Sequence, residues 1–101
     1  MSIVVVATIT PQPGALQQLT EAFEEAVPVV QAEPGCEQYG LYSDGSVLMT
    51  IERWTSESDL AAHMTAPALT KLLARAGHLL ASAPEIRTIA PLGFGDVVKG
   101  G

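Results

Sequence analysis

The chain has 101 residues, a net charge of −6, and 48% apolar against 16% charged side chains. That length holds one ordinary domain, and so much apolar with so little charge excludes a disordered chain. All five basic residues, Arg53, Lys71, Arg75, Arg87 and Lys99, lie beyond residue 50, so no basic patch is dense enough for a nucleic-acid backbone or an anionic membrane surface.

Residues 3–10 (IVVVATIT) are a β-branched run and predict a central strand buried on both faces. The preceding residues carry no basic flank, so the run reads as a strand and not as a secretion signal. No stretch reaches the ~20 apolar residues of a membrane span. Pro11, Pro13 and Gly14 stop the strand. Leu16, Leu19, Phe23, Val27 and Val30 then recur at helical spacing and predict an amphipathic helix over about residues 14–32, kinked at Pro28 and ended by Glu33-Pro34-Gly35.

Residues 36–43 and 46–54 predict a β-hairpin about Asp44-Gly45. A two-residue loop would pair Ser43 with Ser46, Tyr42 with Val47 and Tyr39 with Thr50. It would also set Glu37 opposite Glu52, an unfavourable like-charge pair unless a bulge shifts the register or one carboxylate is solvated, bonded or protonated. Tyr42, Val47, Met49 and Ile51 fall on one face; Tyr39, Leu41, Leu48, Thr50, Glu52 and Trp54 fall on the other. Cys36, the only cysteine, excludes an internal disulfide framework and suits a reducing cytoplasm.

Thr55 or Ser56 caps a short helix, with Ser56 and Asp59 spaced as a capping box. Leu60, His63 and Met64 share one of its faces. Pro67 suits a new first turn, and Leu69, Leu72, Leu73, Ala76 and Leu80 extend a second apolar stripe toward Pro84. Residues 85–92 predict a last strand and 93–101 a mobile tail. The order is β-α-β-β-α-β, an α+β ferredoxin-like unit with an antiparallel sheet over residues 1–92. Its two helices can cover one sheet face only, yet both faces are apolar. A symmetric homodimer packed sheet to sheet is the expected remedy.

The strings VVATITPQPG, EPGCEQY, MTIERWTSESDLAAHM and IRTIAPL together resemble the antibiotic biosynthesis monooxygenase family of the dimeric α/β-barrel superfamily. The resemblance spans about residues 3–92, and Glu52-x-Trp54 followed by His63 is its most specific part. It implies a dimeric barrel and a cofactor-free monooxygenase in which an aromatic hydroquinone or anthrone-like substrate supplies the electrons to O2. It also brings in a haem-degrading branch, which would want Asn at Ala7, Trp at His63 and a haem-ligating His near Leu73. None of these is present. The family often places a second histidine where this chain has Ala68.

Read as chemistry, His63 is the leading candidate base, since imidazole suits proton abstraction near neutral pH. The plainer alternative is a buried histidine bonded to a backbone carbonyl or to Glu52. Trp54 would wall a flat ring with its indole N–H as donor, or serve only as core. Glu52 would orient His63, or bond across the dimer. Tyr39 would donate to a substrate oxygen. Met49, Met64, Leu72 and Leu73 would line a pocket or simply fill the core, and Arg87 would touch substrate or pair with an acid. No metal-ligand spacing, nucleophile elbow or dinucleotide loop is present. Two other functions use the same scaffold: a non-oxidative isomerase or tautomerase of a small carbonyl compound, and a ligand-binding or stress-associated protein without turnover.

Overall fold

The computed structural model describes residues 2–101; Met1, the first residue of the expected 1–92 domain, lies outside the described residues. Strand β1 (Ile3–Ile9) leads into helix α1 (Leu16–Gln31), strands β2 (Cys36–Ser43) and β3 (Leu48–Trp54), helices α2 (Glu57–Met64) and α3 (Pro67–Ala76), a 3-10 turn (Gly77–Leu79) and strand β4 (Glu85–Ile89). The four strands form one antiparallel sheet in the order β2-β3-β1-β4. The fold is α+β and ferredoxin-like, with the second helical region broken into α2 and α3. Pro67 opens α3, and the helix ends at Gly77, short of Pro84. The next residues tie back to the start: Pro11 bridges to Leu80, and the Gln12 amide donates to the Leu79 carbonyl at 2.7 Å.

The helices lie on one sheet face. Val5, Ala7 and Ile9 of β1 and Leu48, Thr50, Glu52 and Trp54 of β3 are buried beneath them. Val4, Val6 and Thr8, and Met49, Ile51 and Arg53, alternate onto the other face and are half-buried. β1 is therefore central, as its sequence predicts, but sealed on one side only. α1 supplies Leu19, Ala22, Phe23 and Val30 to the core. It is continuous through Pro28, which stands in its last turn, where a missing N–H costs one internal bond.

The hairpin differs from its predicted register. Ser43 pairs with Leu48, Tyr42 with Met49 and Tyr39 with Glu52, so the loop has four residues. Side chains decide this. Asp44 Oδ1 accepts from the amides of Ser46 and Val47 at 2.8 and 3.0 Å, and Ser43 Oγ donates to the Val47 carbonyl at 2.8 Å. A shift of two residues keeps every side chain on its predicted face. The same shift removes the Glu37–Glu52 pairing, since Glu52 now faces Tyr39, and a bulge between Cys36 and Gln38 leaves Glu37 exposed and accepting from Ser2 Oγ at 2.6 Å. β4 is shorter than predicted, and the tail makes a turn in which Asp96 Oδ2 accepts from the amides of Val98 and Lys99. Among the described residues no helix is long and apolar enough to cross a membrane.

Candidate active site

Two loops converge at one end of the sheet. The first follows α1 and holds Glu33, Pro34 and Gly35; the second joins β3 to α2. The Thr55 amide and hydroxyl both donate to the Gly35 carbonyl, at 2.9 and 3.2 Å. Gly35 has φ +77°, and a Cβ there would run into Asp59, so glycine is what permits this approach. Ser56 caps α2 by accepting from the Asp59 amide at 3.1 Å. The clamp thus fixes the Glu33 loop against the helix that carries His63.

His63 is 4% exposed. Its Nδ1 lies 2.6 Å from Glu33 Oε1. A carboxylate only accepts, so Nδ1 carries the proton, and in the neutral imidazole the lone pair is then on Nε2. Nε2 makes no hydrogen bond among the described residues; Glu52 Oε1 stands 3.9 Å away. The imidazole stacks on Trp54, with centroids 4.6 Å apart and planes at 25°, and meets the Tyr39 ring edge-on at 5.8 Å. Glu52 is buried and accepts from Thr50 Oγ1 at 2.8 Å and from Trp54 Nε1 at 2.9 Å. Burial, then the Glu52 and Glu33 carboxylates, hold the Tyr39 phenol far above its ordinary range, so it stays a neutral donor. Burial, and then the same two acids, raise the Cys36 thiol.

Beside His63 lies an apolar cavity of about 70 Å3, lined among others by Ala7, Phe23, Tyr39, Thr50, Glu52, Met64, Leu73 and Ile86. A second cavity, of about 160 Å3, shares Ala7, Glu52, Met64 and Ile86 with it and extends to Val5, Leu60 and Thr88. Met64, Leu73 and Ile86 are about half exposed and form the mouth. The fold therefore gathers His63, Glu52, Tyr39, Met64 and Leu73 about one space. Trp54 takes the core alternative of the two: it is fully buried, and its indole N–H donates to Glu52. Leu72 is core between α1 and the sheet. Met49 and Arg87 lie on the helix-free face, by alternation from Thr50 and Ile86, and cannot reach this space. Glu33 is the residue that sequence reasoning missed. Among the described residues no group of three or more His, Cys, Asp or Glu is arranged to hold a metal ion.

The profile of antibiotic biosynthesis monooxygenases matches residues 2–75. The chain belongs to the antibiotic biosynthesis monooxygenase family. Rv0793 of Mycobacterium tuberculosis, named as a candidate monooxygenase, is 32% identical over 92 residues, which cover 89% of this chain and 91% of the relative. Its structure superposes with a TM-score of 0.83, over 91% of this chain and 96% of that one. A candidate antibiotic biosynthesis monooxygenase of Caulobacter crescentus is 29% identical, with a TM-score of 0.79 and 87% of each chain covered. PA3566 of Pseudomonas aeruginosa is 26% identical, with a TM-score of 0.81 over 90% of this chain and 94% of that one. In this antibiotic biosynthesis monooxygenase family member, Ala7, His63 and Leu73 all border the same cavity. Ala68 packs in the core cluster of Trp54.

Proposed function

We propose that the protein is a monooxygenase that uses O2 without a bound cofactor to oxidise an electron-rich aromatic substrate of the hydroquinone or anthrone type. The observation that carries this reading is the buried Glu33–His63 pair, held through Nδ1 and bordering an apolar space. In an anthrone-like substrate, Nε2 takes a benzylic proton. The carbanion gives its electrons to O2, and a carbon–oxygen bond forms as a peroxide. Loss of water from the protonated peroxide leaves a new carbonyl, with one oxygen atom in the product and the other in water. The substrate is the only reductant. Tyr39 donates to the oxygen on which the anion's charge collects, and the apolar walls keep water from the intermediate.

A cavity of about 150 Å3 holds one benzene ring, so a ring fits the outer space of about 160 Å3 with its reacting atom in the smaller one beside Nε2. A fused-ring substrate needs Met64, Leu73 and Ile86 to move aside. Turnover of a hydroquinone and anthrone panel by purified protein, in air and under nitrogen, tests the proposal. Oxygen uptake matched one to one by oxidised product is expected, with metal and flavin content assayed alongside. A His63→Ala variant with undiminished uptake would overturn the assignment of the base. The small size of the space at Nε2, about 70 Å3, favours a second reading, an isomerase of a small carbonyl compound; product formed equally well under nitrogen selects it. The working unit we propose is a homodimer packed through the helix-free face.

A further inference from the structure

We propose that this site takes only uncharged rings, because Glu33 and Glu52 flank His63 as a pair that receives a proton as an imidazolium between two carboxylates and repels an anionic group on the substrate. The inference rests on the reading of the cavity as a binding site and says which substrates enter it.

The charges facing His63 are all negative. Glu33 comes from the α1–β2 loop at 2.6 Å and Glu52 from β3 at 3.9 Å. β2 contributes the Tyr39 phenol, and α2 and α3 contribute only Met64, Leu69 and Leu73. None of the five basic residues joins them. Lys71 and Arg75 line an outer groove between α1 and α3, where Arg75 pairs with Glu25. Arg53 and Arg87 are on the helix-free face, and Lys99 is in the exposed tail. A substrate carboxylate, sulfonate or phosphate would therefore lose its water and gain no counter-charge. The Tyr39 phenol, set in this wall, is held against ionisation by burial first and by the Glu52 and Glu33 carboxylates second. A substrate phenol placed beside it loses its proton only if that proton stays close by, and the imidazolium between Glu33 and Glu52 keeps it there. The proton moves from the substrate O–H or C–H bond to Nε2, and the net charge of the site is unchanged.

Binding tests this without turnover. Trp54 is the only tryptophan of the chain and stacks on His63, so its emission reads occupancy of the cavity; calorimetry is the second readout. The probes are methyl 4-hydroxybenzoate and 4-hydroxybenzoate at pH 7, which differ in one negative charge. The neutral ester is expected to bind at least tenfold more tightly, and Glu52→Gln to shrink that ratio at least threefold. Equal affinities, tighter binding of the anion, or no binding of either up to its solubility would each overturn the proposal. The wild-type ratio stands as a test even if the variant fails to fold. Failure of the oxygenase reading is distinct: ester-selective binding without oxygen uptake on any substrate leaves the charge rule intact, and oxidation of anionic rings as fast as neutral ones overturns the rule alone.

Discussion

At the scale of single residues, the site turns on which nitrogen of His63 is free. Glu33 settles it by accepting from Nδ1. Removing the imidazole in His63→Ala is expected to lower kcat by about 10²- to 10⁴-fold, the usual worth of a positioned base. Glu33→Gln keeps the shape but lets the amide N–H donate to Nδ1 of the other tautomer. It is expected to lower kcat by about 10- to 1,000-fold while KM changes less than about threefold, both read from oxygen uptake. Tyr39 makes a separate expectation about stability. The unfolded phenol ionises near 10.0, whereas the folded one holds its proton to higher pH. Between those values the unfolded chain binds fewer protons, so stability falls as pH rises, by about 1.4 kcal/mol per pH unit for one such group. Cys36, whose ordinary value is 9.0, adds a loss of the same sign from lower pH. Urea midpoints measured from pH 8 to 11 should decline, and Tyr39→Phe should flatten the decline above pH 10.

At the scale of elements, the clamp between the Glu33 loop and α2 depends on Gly35. Alanine there meets two penalties: a left-handed backbone, worth about 1 kcal/mol, and the collision with Asp59. Gly14 separates them, since its φ is +79° and a Cβ there has nothing within 4 Å. Urea unfolding should therefore show Gly14→Ala losing about 1 kcal/mol and Gly35→Ala losing more, about 2–3 kcal/mol. Only Gly35→Ala should also slow turnover, because its loop carries Glu33. Equal losses would show that Asp59 gives way and that the clamp is loose. The same loop shows how far the sequence can be read. Strand faces, helix stripes and the Pro67 start obey periodicities of two and 3.6 residues, so Glu52, Trp54 and His63 fell on the helix-covered side as expected. The four-residue hairpin loop did not show, because it is chosen by Asp44 and Ser43 side-chain bonds against a simpler Asp-Gly turn. Glu33 did not show either. It lies 30 positions from His63 in a segment whose Pro-Gly composition speaks only of a helix end. Contacts between loops leave no period in a sequence. Residue type alone suggests Met49, Leu72 and Arg87 as pocket lining, whereas strand parity puts Met49 and Arg87 on the helix-free face and core packing holds Leu72.

At the scale of the whole molecule, the single chain exposes too much surface for its mass. It presents 6256 Å2, whereas a compact monomer of 10.6 kDa is expected to present about 5,500 Å2. Its shape, 41 × 27 × 20 Å, is a slab with helices on one side. The bare side carries Val4, Val6, Met49, Ile51 and Ile89, with Tyr42 and Ile89 about half exposed. The exposed tail, with Leu92, Phe94, Val97 and Val98, accounts for part of the surplus, and a standard interface of about 800 Å2 per partner between two identical sheets would cover the bare face on both copies. Sedimentation of the wild type at micromolar concentration should therefore give twice the chain mass, with a Tm that rises with concentration. Ile51→Glu puts a charge at the centre of this face without entering the helix-side core. It should yield monomers that keep the far-ultraviolet spectrum, unfold at lower temperature, and lose the concentration dependence. Lys71→Glu, on the helical side, should leave the assembly as it is. A wild type that sediments as a single chain across a hundredfold concentration range would mean that water covers this face, and the half-buried valines and isoleucines of β1 and β3 would then need another partner.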